Sequence, residues 1–217
     1  MPDRKSKAAT GTIVVSGTGR VAVEPDVADL RLGVSVSRPT VAAARAEAAR
    51  AMDEILTAVD GAGVARRDVR TSLLSVQPRY DYRDGRAPTL TGYELANVVE
   101  VTVRDLAKLG EVVDRTLAAG ATSMDSLSFR VADPAPAERE ARLLAMAAAH
   151  TRADVLAEAA GLGIVGVFDI VEGAPTRPPM PYPKAERMAL AAAEVATPVE
   201  AGTLEVTVTV TVTYRAR

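Results

Sequence analysis

His150 is the only histidine of the chain, and there is no cysteine. Those two facts bound most of the chemistry within reach. A serine hydrolase would need that one imidazole as its base, set between a nucleophile and an orienting carboxylate. Thiol redox cycling, cysteine nucleophiles, disulfides and thiolate metal sites have no residue to use. A zinc site built from several histidines cannot be made within one chain. His150 lies in AMAAAHTRADVLAEAAG, whose apolar residues keep helical spacing, so it reads as a histidine on a helix face rather than a catalytic base.

The acidic residues point no further toward catalysis. Asp81 and Asp84 lie in YDYRDG, at the tip of an expected hairpin, without the oxygen-ligand spacing of a calcium loop. Glu138 and Glu140 open an expected helix, where carboxylates favour the positive end of the dipole. No metal or cofactor is expected, and no catalytic residue is assigned. The run TIVVSGTGRVAV carries Gly17-x-Gly19-x-x-Ala22, which has the outline of a dinucleotide fingerprint. That fingerprint works only when a helix N-terminus follows the glycines and receives the pyrophosphate. Here VAVEPD follows, an alternating run that ends at Pro25, so Gly17 and Gly19 read as a bulge or tight turn between short strands. Met52 and Met146 fall in helical segments and read as core filler.

Composition narrows the partners. The chain is 48% hydrophobic and 25% charged over 217 residues, the balance of an ordinary globular protein. Lys+Arg 26 against Asp+Glu 28 leaves a net charge of -2, and aromatics make up 3%. Neither a basic surface for phosphates nor stacking platforms for bases can be drawn from that, so no nucleic-acid partner is expected. The longest apolar run near the start is Ile13–Val15, too short for a signal peptide, and nothing reaches the roughly 18 residues of a membrane span. Cytoplasmic location is the expectation from the residues as encoded. One segment stands out as a contact: RPPMPYP, with Pro178, Pro179, Pro181, Tyr182 and Pro183. It suits a polyproline II ligand for an aromatic groove, or a stiff connector to the last strand, and the connector is favoured.

The elements that must position these residues are legible from periodicity. TLEVTVTVTVTY alternates from Thr203 to Tyr214, placing Leu204, Val206, Val208, Val210, Val212 and Tyr214 on one face of a long strand. Ala28, Leu30, Leu32, Val34 and Val36 alternate with Asp29, Arg31, Ser35 and Ser37 in a second strand. Thr40 then caps a helix bearing Val41, Ala44, Ala48, Met52, Ile55 and Val59, which ends at Gly61 and Gly63. Strands Val69–Tyr82 and Tyr93–Arg104 flank the hairpin loop RDGRAPTLTG. Asp105 caps a short helix carrying Leu106, Leu109, Val113 and Leu117, and strand Ser126–Val131 follows. A helix opened by Asp133 and Pro134 runs to Gly161, and strand Ile164–Glu172 comes after it. A short strand or hairpin precedes the whole series. The fold expected is α+β, a largely antiparallel sheet with amphipathic helices on one face. Residues 1–10 are read as a flexible N-terminus and 11–217 as one domain, with 174–198 an exposed Pro/Ala-rich arm.

Five blocks taken in order resemble the SIMPL-domain family: VSGTGRVAVEPDVADLRLGV, TSLLSVQPRYDY, GYELANVVEVTVRDLAKLGEVVDRTLAAGA, RADVLAEAAGLGIVGVFDIVEG and TPVEAGTLEVTVTVTVTY. The likeness covers about residues 11–214, and SGTGRV with PDVA, RDLAKLG and TPVEAG are its most specific pieces. It implies an α+β fold, self-assembly into a large hollow homo-oligomer, a ring or cage, and no catalytic residues. It implies an indirect role in stress or envelope physiology and makes a periplasmic or secreted location the alternative. A small-ligand or client-protein binding module is the alternative function.

Overall fold

The computed structural model describes residues 11–82, 87–173 and 197–217, and the backbone of 181–182. Among the described residues the order is β1 Gly11–Val23, β2 Val27–Arg38, α1 Val41–Gly61, β3 Val69–Asp81, β4 Thr89–Val103, α2 Leu109–Ala118, β5 Ser123–Arg130, α3 Ala135–Ala159, β6 Ile164–Glu172, β7 Pro181–Tyr182 and β8 Thr203–Ala216. Every strand pair is antiparallel. The α+β class read from the sequence holds, with the strands shared between two sheets rather than one. The elements group into two compact units, one holding β1, α3, β6, β7 and β8, the other β2 to β5 with α1 and α2.

In the second unit the strand order is β3-β4-β2-β5. Alternation in β2 turns Leu30, Leu32, Val34 and Val36 to one face, beside Leu95, Val99, Val101 and Val103 of β4. Onto that face α1 lowers Ala44, Ala48, Met52, Ile55 and Val59, as the helical spacing required, while Val41 stays exposed. Its start is built as expected: Thr40 is extended and its Oγ1 accepts the Ala43 N–H at 3.2 Å. Its end is turned by Gly63, whose φ of +86° suits glycine alone. Asp105 departs from its expected role. It precedes a 3₁₀ turn over Leu106–Lys108, makes no side-chain cap bond, and pairs with Lys108 at 3.8 Å. In α2 the buried residues are Leu109, Val112, Val113 and Thr116, and Leu117 faces out. The hairpin loop is tighter than expected, because β4 already begins at Thr89.

The first unit has the order β1-β8-β6, with β7 also on β8. β8 buries Leu204, Val206, Val208, Val210, Val212 and Tyr214 on one face, the stripe read from the sequence. β1 corrects the reading of its glycines. It is one strand of 13 residues, paired with β8 without a bulge from Gly11↔Ala216 to Val23↔Leu204. Gly17 and Gly19 lie mid-strand because a helix backbone passes over them. A Cβ at Gly17 would stand 2.0 Å from the Ala145 carbonyl oxygen, and one at Gly19 2.0 Å from that of Ala141. The helix is α3, whose buried residues are six alanines four apart, Ala137, Ala141, Ala145, Ala149, Ala153 and Ala157. Four residues turn about 40° more than one helical turn, so this stripe winds around α3 along an i±4 ridge. Met52 is buried in the second unit and Met146 packs against the core of the first, as core filler should.

Candidate functional site

His150 projects from the exposed side of α3. Its Nε2 lies 3.7 Å from the Asp154 carboxylate one turn on, and its ring is 5.8 Å from that of Tyr214. Burial raises the Tyr214 hydroxyl above the usual tyrosine range, and the nearby Asp154 charge adds to that. This is a helix-face histidine in an i,i+4 pair. Glu138 sits in the first turn of α3 and binds Arg142 at 3.2 Å, while Arg142 reaches Glu172 of β6 at 3.0 Å. Among the described residues no group of three His, Cys, Asp or Glu side chains is placed to hold a metal. Asp81 ends β3, as the hairpin reading required, and Asp84 lies outside the described residues.

Of the proline-rich candidates, Pro181 and Tyr182 form β7, pairing with Leu204 and Thr203 of β8. Pro178, Pro179 and Pro183 lie outside the described residues, as do the N-terminal ten and most of the 174–198 arm. The described part of that arm is tied down at Thr197, whose N–H and hydroxyl donate to Asp114 at 3.1 and 2.6 Å.

Polar chemistry concentrates on the face of the second sheet turned away from α1. Arg130 donates to Asp29 at 2.6 Å and Thr102 donates to it at 2.8 Å; Arg70 meets Glu100 at 2.7 Å. At the strand ends Arg104 grips both Asp68 oxygens, at 2.8 to 3.2 Å. Burial alone would raise the Asp29 carboxyl, but the bonds from Arg130 and Thr102 and the Arg130 charge outweigh it and hold the group below its usual range. The Arg104 hydrogen bonds likewise hold Asp68 low. The three carboxylates of this network, Asp29, Glu100 and Asp68, each have an arginine partner, so the network braces the sheet.

The surfaces that sequence reasoning missed are two outermost strands. β6 ends its sheet and exposes Val165, Val167, Phe168, Ile170 and Val171, with Phe168 at 58% and the Arg215 guanidinium 4.9 Å over its ring. β3 ends the other and exposes Leu73, Leu74, Val76 and Tyr80. The signal was present in VGVFDIV, an apolar run without a polar face in so short a strand. A groove of about 480 Å³ lies between α1 and β3, lined by Met52, Leu56, Val59, Val69, Thr71 and Val99 among others.

An α+β protein with two antiparallel sheets, one carrying α3 and the other α1 and α2, and with apolar side chains exposed on the outermost strands β3 and β6, is the class these features define. Residues 13–214 match the SIMPL family, described as a protein of unknown function (DUF541), and the chain belongs to that family. It is 35% identical over 210 residues to the 26 kDa periplasmic immunogenic protein of Brucella melitensis, covering 93% of this chain and 83% of that one. It is 36% identical over 145 residues to the uncharacterized protein YggE of Escherichia coli K12, covering 67% of this chain and 58% of that one. Neither name states an activity. Among the described residues no helix is long and apolar enough to cross a membrane.

Proposed function

We propose that this chain is a non-enzymatic, self-associating structural protein whose copies join through their outermost strands into a large hollow homo-oligomer. The observation that carries the reading is β6, which has five large apolar side chains in the open and one edge without a partner strand among the described residues. An exposed apolar edge in a lone molecule is an aggregation template, and an ordered neighbour is the way to satisfy it. Its role in stress or envelope physiology is then indirect, since a chain without cysteine has no thiol to cycle. The name of the Brucella relative supports a periplasmic location, which cell fractionation tests. Light scattering behind size exclusion at micromolar concentration is expected to give a mass several times 22.7 kDa. Replacing Val167 and Ile170 by Lys is expected to lower that mass without unfolding the chain. A monomer for the unaltered protein overturns the reading.

A further inference from the structure

We infer that β6 pairs antiparallel with β6 of a second copy about a two-fold axis between Phe168 and Asp169, so that Asp169 of each copy meets the partner's Arg215. The inference rests on the self-association proposed above and fixes which strand meets which. The sheet of the first unit has two outer strands, β1 and β6. β1 is guarded: α3 passes over Gly17 and Gly19, the Arg152 guanidinium donates to the Ser16 carbonyl, and of its large apolar side chains Val14 alone is exposed. β6 is open. Val167, Phe168, Ile170 and Val171 are all exposed, and its outer edge has no partner strand among the described residues.

The pattern of sides along β6 points to the occupant. Residues directly opposite in an antiparallel pair share a face. Val167 and Ile170, set against Tyr214 and Val212, lie on the α3 side, while Gly166, Asp169 and Val171, set against Arg215, Thr213 and Thr211, lie on the other. The register shifts between Val167 and Asp169, and the Arg215 guanidinium over the Phe168 ring places that ring on the Asp169 side. From Gly166 to Val171 the sides therefore read the same in both directions. A two-fold axis between Phe168 and Asp169 sets Gly166 against the partner's Val171, Val167 against the partner's Ile170 and Phe168 against the partner's Asp169, and every pair agrees in side. Moving the axis onto Phe168 sets Val167 against the partner's Asp169, and moving it onto Asp169 sets Phe168 against the partner's Ile170; both pairs disagree. Charge selects the same register. Neither Asp169 nor Arg215 has an ion-pair partner among the described residues, and Arg215 lies 4.9 Å over the Phe168 ring, where the partner's Asp169 would arrive. Two Asp169 carboxylates flank the axis and two arginines answer them, a crossed pair that only a second copy supplies.

The test uses the full chain, which has no cysteine of its own. V167C and I170C variants, coexpressed with different tags and oxidised, are expected to form a disulfide between unlike copies and so a covalent dimer. Either variant alone is expected to form none, because like positions then stand three residues apart along the strands, roughly 10 Å. D169R and R215D are each expected to raise the concentration at which the assembly dissociates, followed by light scattering, at least about tenfold. The D169R/R215D double variant is expected to return it to within about threefold of the parent, a rescue that a merely local role of either residue would not give. No mixed disulfide in a protein of several subunits, as much disulfide from one variant alone, or a double variant no better than the singles overturns the inference and leaves self-association standing. An unaltered protein that is a monomer overturns both.

Discussion

Each unit of this protein sets a long helix on an antiparallel sheet, and the two do so with opposite materials. α1 meets its sheet through Met52, Ile55 and Val59, which interlock with Leu30, Leu32, Val99 and Val101 in a core of large side chains. The buried residues of α3 are all alanines, with Gly17 and Gly19 beneath them, and apart from the half-buried Met146 the large residues come from the sheet, chiefly Val206 to Tyr214. The first arrangement draws stability from apolar area removed from water and tolerates small adjustments. The second draws it from backbones brought nearly into contact, where there is no slack to absorb an added atom.

Substitution should separate the two most sharply at Gly19. Valine there puts a branched side chain where even a Cβ would sit 2.0 Å from Ala141 O, so a loss of more than about 4 kcal/mol is expected in urea unfolding. Loss of hydrogen-exchange protection should centre on β1, α3 and β8. A Gly19→Val protein as stable as the parent would break the comparison. Ile55→Ala works in the other direction, leaving a void in the interlocked core; it should cost about 3 kcal/mol by the same measurement. Thr40→Ala removes the α1 cap bond and should cost about 1 kcal/mol, seen as a small fall in Tm.

Acid gives the smallest and most local effect. Asp29 and Asp68 both titrate lower in the folded chain than the usual 3.8, so the unfolded chain takes up protons first as pH falls. Their contribution is full above about pH 5 and is lost as pH drops through the folded values. Exchange protection in β2 to β5 should therefore weaken below about pH 4. Asp68→Asn should flatten that dependence while costing about 1 kcal/mol at neutral pH, a modest figure because Arg104 is largely exposed.

Much of this architecture was legible in the residues. β8 and β2 announce themselves by strict alternation, α1 by its spacing and by Thr40 and Gly63, and β6 begins and ends where its apolar run does. What was hidden depended on neighbours distant in sequence. Gly17 and Gly19 lower local strand preference and look like a turn; only the helix that lands on them, more than a hundred residues later, explains them. Asp105 has the residue type of a cap but not the geometry, because the chain tightens into a 3₁₀ turn first. The candidate surfaces were hidden for a different reason. An apolar strand is read as buried, and whether a helix covers it depends on strand order, which local pattern does not contain.

The pairing of β1 with β8 joins Gly11 to Ala216, nearly the full length of the chain. During synthesis β1 must therefore wait for β8, whereas β2 to β5 with their helices come from one continuous stretch and have all their strands much earlier. Until β8 is made β1 has no partner strand among the described residues, so in refolding the first unit is expected to gain hydrogen-exchange protection after the second.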